Sequence, residues 1–151
     1  MRTASPPDIN TESADGNAAL ARARQLVLEF GWNAVAYQIL NPGFNLWFSG
    51  KGDAVAGYMK AAGRWVIAGA PVCAPARLPA VIEELDTCAR SDGSKTCYFG
   101  AALRMYEGCV HPPRHSAVLL GSQPVWSPSS WPGVLASRAS VRAQLARARN
   151  K

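Results

Sequence analysis

The sequence lacks the features by which several common classes of protein are recognised. Only two histidines and four cysteines occur among its 151 residues, and no two cysteines form a CxxC pair. Without a secretory leader ahead of them, such cysteines are typical of reduced, buried thiols in a cytoplasmic protein. They are Cys73, Cys88, Cys97 and Cys109.

Signatures for metals, nucleotides and covalent catalysis are also missing. Cys109, His111 and His115 offer three metal ligands, but two prolines separate the histidines and prevent a helical i, i+4 pair. Neither GxGxxG nor GxxxxGKS/T is present, and no GxSxG string marks a nucleophile. We expect no metal and no cofactor, and the catalytic residues stay unknown.

Long apolar runs are absent, since none approaches the roughly 18 residues needed to span a bilayer. Residues 1–16 are polar, contain Pro6 and Pro7 and three acidic residues, and predict a disordered tail. Any contact with a membrane would therefore be peripheral. We expect a cytoplasmic protein that meets the inner face of a plasma membrane.

Acidic residues are missing from the last third of the chain. Residues 1–107 carry ten Lys or Arg and ten Asp or Glu, whereas residues 108–151 carry six Lys or Arg and no acid. The whole net charge of +6 therefore lies in this last part. Such a run of like charges is easier to explain if an anion lies against it.

What the sequence does contain is enough apolar side chain for a core. Hydrophobic residues make up 48% and charged residues 17%, which is the ordinary globular range for a chain of single-domain length. The five tryptophans are interpreted as core anchors, with stacking on nucleic-acid bases as the alternative. They are Trp32, Trp47, Trp65, Trp126 and Trp131.

The pattern along the chain predicts an α+β fold with a mostly antiparallel sheet flanked by helices. Helical periodicity with glycine stop signals marks the helices, and short apolar runs between turn residues mark the strands. Gly50-Lys51-Gly52 is interpreted as a hairpin tip. The predicted helices are 17–30, 78–90 and 101–108, and the predicted strands are 44–49, 54–60, 64–70, 96–100 and 116–121.

The final segment is interpreted as one long basic helix, which begins near Ser127 and occupies residues 134–151 in full. Its apolar residues share one face at helical spacing, with a wide cationic flank beside them. A solvated surface helix is one reading, but arginine favours phosphate because its guanidinium can bind two oxygens at once. The predicted ligands of RNA or lipid phosphate are Arg138, Arg142, Arg147, Arg149 and Lys151.

Six strings along the chain resemble the N-terminal portion of the phosphatidylglycerol lysyltransferase C-terminal domain, the soluble part of the multiple peptide resistance factor proteins. The resemblance covers nearly all of residues 17–151, and the order and spacing of the strings are more specific than any one of them. The strings are GWNAVAYQILNPG, WFSGKGDAVAGY, VIAGAPVCAP, CYFGA, HSAVLLGSQPVW and SVRAQLARARNK.

This resemblance implies a tandem pair of GNAT-like lobes joined by a basic helix, which moves an aminoacyl group from aminoacyl-tRNA to phosphatidylglycerol in a bacterial membrane. Residues 17–133 would be the first GNAT-like lobe, and residues 134–151 the connecting helix that meets tRNA or lipid phosphate. The second lobe is absent from this sequence. We therefore expect a truncated domain that is inactive alone and has that lobe as a missing partner.

The sequence departs from the family in one loop, and two other functions stay open. Gly69-Ala70-Pro71 stands where the family often has Gly-Asp-Pro, which removes a carboxylate. One alternative is a stand-alone RNA- or acidic-membrane-binding module. The other is an acyl-CoA-dependent GNAT acyltransferase, which is disfavoured because no Q/R-x-x-G-x-G/A loop is present to hold a pyrophosphate.

Overall fold

A computed structural model describes residues 14–109, 115–122 and 127–150 of the chain. They form two compact units, which meet in the sequence between Val118 and Leu119. The first unit contains the sheet, and the second contains the basic C-terminal segment. The predicted boundary between lobe and connecting helix, at residues 133 and 134, stays a prediction.

In the described part of the first unit, four α-helices and five strands follow one another, with a short 3-10 helix at Pro75–Arg77 before the third α-helix. Two of these elements, α2 (Ala34–Gln38) and β4 (Val72–Cys73), were not predicted from the sequence, because elements of five and two residues are too short to show a period. The helices are α1 (Ala14–Phe30), α2 (Ala34–Gln38), α3 (Leu78–Ser91) and α4 (Leu103–Cys109), and the strands are β1 (Asn45–Phe48), β2 (Ala54–Ala61), β3 (Arg64–Ala68), β4 (Val72–Cys73) and β5 (Lys95–Phe99).

The strands form one open sheet in the order β1-β2-β3-β5, and β4 pairs with β2. The pairs β1–β2, β2–β3 and β2–β4 are antiparallel. Only β5 runs parallel to its neighbour β3, because α3 carries the chain back across the sheet between them. The predicted α+β class, with a mostly antiparallel sheet flanked by helices, is confirmed.

Apolar residues cover both faces of the sheet. On one face α1 and α2 pack over β1, β2 and β4, with Val27, Ile39 and Val55 almost fully buried. On the other face α3 and α4 pack over β2 and β3, around Trp65 and Leu85. The strands can contribute to both layers because successive side chains of a strand point to opposite faces.

The start of the chain differs slightly from the prediction. Helix α1 begins at Ala14, so the predicted tail of residues 1–16 is wrong for its last three residues. Asp15 lies in the first helical turn, where a carboxylate interacts favourably with the positive end of the helix dipole. The rest of the predicted tail lies outside the described residues.

The predicted strand at residues 116–121 is wrong. Residues 115–122 form neither helix nor strand, and the side chains of Val118, Leu119 and Leu120 are 81%, 91% and 70% exposed. An apolar, β-branched run satisfies the local pattern of a strand, but a strand also needs a neighbour to pair with. No described strand pairs with this segment.

The single long helix predicted for the C-terminal segment is also wrong, because the segment forms two helices. They are α5 (Trp131–Ser137) and α6 (Ala139–Arg149), and Arg138 between them is extended, with φ −120° and ψ 98°. The Arg142 Nη1 atom donates to the carbonyls of Leu135 and Ala136, each at 2.6 Å. These bonds satisfy carbonyls at the end of α5 that have no partner within the helix, and so stabilise the break.

Candidate anion-binding residues and a buried carboxylate

The structure keeps four of the five predicted phosphate ligands together in the second unit. Arg138, Arg142, Arg147 and Arg149 are all exposed, whereas Lys151 lies outside the described residues. Within the described ranges none of the four arginines forms an ion pair with a carboxylate. Their charge is therefore not neutralised by the part of the chain that the structure describes.

The four arginines are not equivalent. Arg142 caps α5, whereas Arg147 and Arg149 lie in the last turn of α6. Cations in a last turn are favoured by the helix dipole, which partly accounts for their position. Two residues apart on a helix, Arg147 and Arg149 point to different sides of α6, so each exposed guanidinium can make a phosphate contact of its own. Arg147 and Arg149 are the better candidates for that contact.

A buried carboxylate in α3 organises a second group of polar side chains. Asp86 is 8% exposed. Its Oδ1 accepts hydrogen bonds from Thr96 Oγ1 at 2.8 Å and from Tyr98 Oη at 2.7 Å, both on β5. Its Oδ2 lies 2.8 Å from Nε2 of His115, whose ring stands edge-on to Tyr98. Three donors therefore converge on one buried acceptor.

This group was missed from the sequence, where His115 was considered only as a metal ligand with Cys109 and His111. His111 and the side chain of Cys109 lie outside what the structure describes, and the described residues contain no group of three side chains able to hold a metal. Asp86 lies one helical turn after Ile82 on the buried face of α3. A lone acid in such a stripe is the signal that could have revealed it, because buried carboxylates are paired.

The turn between β1 and β2 is held by hydrogen bonds from α1 and α3 and by an ion pair from Arg77, the residue before α3. Glu84 of α3 accepts the backbone N–H of Gly50, and Arg22 of α1 donates to the Gly52 carbonyl. Arg77 donates to both carboxylate oxygens of Asp53, and this guanidinium holds the pKa of Asp53 well below its usual range. The predicted hairpin tip is confirmed, and side chains from elsewhere in the first unit hold it in place.

The described cysteines differ in how far they are buried. Cys73 is buried and Cys88 is half-buried, and burial raises the pKa of the Cys88 thiol. Cys97 is exposed, so the prediction of buried thiols is wrong at this position. It lies on the outward face of β5, whose exposure alternates residue by residue. Trp47 and Trp65 are buried as predicted, whereas Trp126 lies outside the described residues.

The fold and these side chains define an α+β domain with an open, helix-flanked sheet and an exposed cationic segment after it. Residues 14–150 match the family described as phosphatidylglycerol lysyltransferase, C-terminal. The chain therefore belongs to the phosphatidylglycerol lysyltransferase C-terminal domain family. A comparison with curated proteins yields no significant match. Among the described residues, no helix has the length and apolar character required to cross a membrane.

Two solved structures have the same fold. L-PGS from Bacillus licheniformis is 20% identical with a TM-score of 0.51, over 58% of this chain and 28% of that one. The C-terminal domain of a protein assigned as a lysylphosphatidylglycerol synthetase, from Agrobacterium fabrum, is 17% identical with a TM-score of 0.52, over 60% of this chain and 29% of that one. The chain thus matches less than a third of the length of either structure.

Proposed function

We propose that this chain is a lobe of an aminoacyltransferase that moves an aminoacyl group from aminoacyl-tRNA to phosphatidylglycerol. Membership of the family over residues 14–150 supports this chemistry. In the transfer, a glycerol hydroxyl oxygen of the lipid bonds to the aminoacyl carbonyl carbon, the bond to the tRNA ribose oxygen breaks, and the hydroxyl proton passes to that oxygen. Holding two reactants in the right geometry supplies much of the rate of such a transfer. Both substrates here are anionic, so cationic side chains can hold them.

The observation that carries the proposal is the uncompensated charge of α6. Arg147 and Arg149 are exposed and have no carboxylate partner in the described chain. Phosphate contacts from arginine supply the sequence-independent part of RNA affinity, by releasing counterions. We therefore assign tRNA backbone binding to these two residues and to Arg138 at the start of α6, with Arg142 as the residue that holds the α5–α6 junction.

Salt-dependent binding of tRNA to the full chain tests this assignment. The variant R147E/R149E should bind tRNA more weakly, and the slope of log K against log salt should fall by about two, one for each lost phosphate contact. The control R147K/R149K keeps both charges and should keep most of the slope. Equal slopes of log K against log salt for wild type and R147E/R149E would show that α6 does not bind tRNA.

The chain matches only 28% and 29% of the two solved structures, which supports a second part of the proposal. We propose that the groups that react with the aminoacyl ester lie on a second lobe, and that this chain itself makes a peripheral contact with an acidic membrane surface. Lysyl-tRNA and phosphatidylglycerol vesicles, mixed with the chain alone, should give binding without lipid lysylation. Turnover by the chain alone would contradict the need for a second lobe, and would leave the transfer chemistry in place.

A further inference from the structure

An open groove lies on the surface of the first unit between α1 and the end of α2. It has a volume of about 380 Å³ and is lined by Leu20, Arg24, Leu28, Tyr37 and Leu40. Leu20 and Leu40 are half-buried and pack against the core under α1, so they form the base of the groove. Leu28 and Tyr37 are 65% and 49% exposed and form its rim. Four of the five lining side chains are therefore apolar or aromatic, and the described chain leaves them uncovered.

Arg24 places one unpaired positive charge in this groove. Among the described residues, no carboxylate lies within ion-pair distance of its guanidinium. Arg22, two residues earlier, is different, because it donates to the Gly52 carbonyl and lies over the Phe48 ring. The fold therefore uses Arg22 to hold a turn and leaves the exposed Arg24 available to a group from outside.

The spacing of the lining residues matches a second helix. Leu20, Arg24 and Leu28 follow one another at intervals of four residues, so they form a row along one face of α1. The row is about 12 Å long at 1.5 Å per residue, which is just over two helical turns. The side chains at i, i+4 and i+8 of a partner helix have the same spacing, so an apolar–acidic–apolar row would meet all three residues. Tyr37 and Leu40 form the opposite wall.

A second copy of this chain fits the row poorly. In a twofold-symmetric pair whose axis passes through the middle of the row, Arg24 of one copy faces Arg24 of the other. Like charges that face each other destabilise such a contact. A carboxylate at the same place forms an ion pair between two apolar contacts instead. Charge complementarity therefore favours a helix from another protein.

We propose that this groove is a docking site for an amphipathic helix of another protein, in which a Glu or Asp lies one turn from an apolar residue on either side. The carboxylate pairs with Arg24, and the apolar side chains pack on Leu20, Leu28 and Leu40. The groove belongs to the first unit and α6 to the second, so this docking site is independent of the proposed transfer.

Titration of the isotope-labelled full chain with alanine-based helical peptides, followed by NMR, tests the site. The first peptide carries Leu, Glu and Leu at positions i, i+4 and i+8, and two others have Gln or Arg in place of Glu. The methyl signals of Leu20, Leu28 and Leu40 should shift on binding. Those of Leu103 should not, because this exposed residue belongs to α4, which packs on the other face of the sheet. The Glu peptide should bind about fivefold more tightly than the Gln peptide, as expected for one exposed ion pair.

Charge exchange separates a specific ion pair from general electrostatics. R24E should bind the Arg peptide most tightly, because the pair is then restored with opposite signs. R90E makes the same charge change at an exposed position of α3 and should keep the wild-type order of the three peptides. Equal affinities of the three peptides for wild type, or an unchanged order in R24E, would overturn the proposal.

Removal of one leucine tests the apolar part of the contact. L28N should weaken all three peptides about fivefold, whereas the control L103N should weaken none. Dimerisation of wild type in sedimentation equilibrium, abolished by L28N, would overturn the proposal in favour of a second copy. Weaker binding of L28N than of L103N to phosphatidylglycerol vesicles, with no peptide binding by wild type, would overturn it in favour of a membrane surface.

Discussion

Replacement of Asp86 is the most informative test of the first unit. In the variant D86A, the Thr96 and Tyr98 hydroxyls and the His115 ring lose their shared acceptor. A hydrogen bond to a charged group contributes about 1.5–3 kcal/mol. Thr96 and Tyr98 are half-buried, so water can partly replace the carboxylate, and the lower end of the range applies to each hydroxyl. The expected loss is about 3 kcal/mol, from a total that is about 5–15 kcal/mol for most domains.

The measurement is urea unfolding followed by tryptophan fluorescence, since Trp65 is buried in the same unit. D86N keeps an oxygen for the two hydroxyls and should lose only about 1 kcal/mol. R90A removes an exposed side chain of the same helix and should stay within about 0.5 kcal/mol of wild type. A loss below about 1 kcal/mol for D86A would refute the view that this carboxylate joins α3, β5 and residue 115.

Three further predictions concern the sheet and its turns. G57A should lower the free energy of unfolding by about 1–3 kcal/mol in urea titrations, because a Cβ there would lie 2.5 Å from the Cβ of Ile39. A62N should raise it by about 0.5–1 kcal/mol, because Ala62 has φ 48°, and a melting curve would show this. The lowered pKa of Asp53 makes its pair with Arg77 stabilising above the ordinary pKa near 3.8, and the effect is lost as pH falls toward the folded value. D53N should therefore flatten the acid side of a plot of stability against pH, and an unchanged slope would contradict the pairing.

The elements that the sequence predicted correctly are those whose pattern is local. The helices at α1 and α3 and the strands β1, β2 and β3 were found because periodicity and turn residues act within a few residues. The strand at 116–121 and the single basic helix had equally clear patterns. They failed because strand formation depends on a pairing partner, and because the bonds from Arg142 to the end of α5 favour a break at Arg138.

The candidate sites also differ in whether the sequence alone could reveal them. Composition alone revealed the acid-free cationic segment, because charge can be counted without a fold. The pairing of Asp86 with His115 was hidden, since 29 residues separate them. The groove between α1 and α2 was hidden for the same reason, since its lining extends over residues 20–40.

The sequence by itself determined the family, the order of the main helices and strands, and the sign and place of the excess charge. Tertiary structure decided which arginines stay available and which cap a helix, and which buried polar groups find partners. The physical reason is that helix periodicity and net charge are properties of neighbouring residues. Satisfaction of a buried donor or acceptor depends on residues that only the packed fold brings within 3 Å of each other.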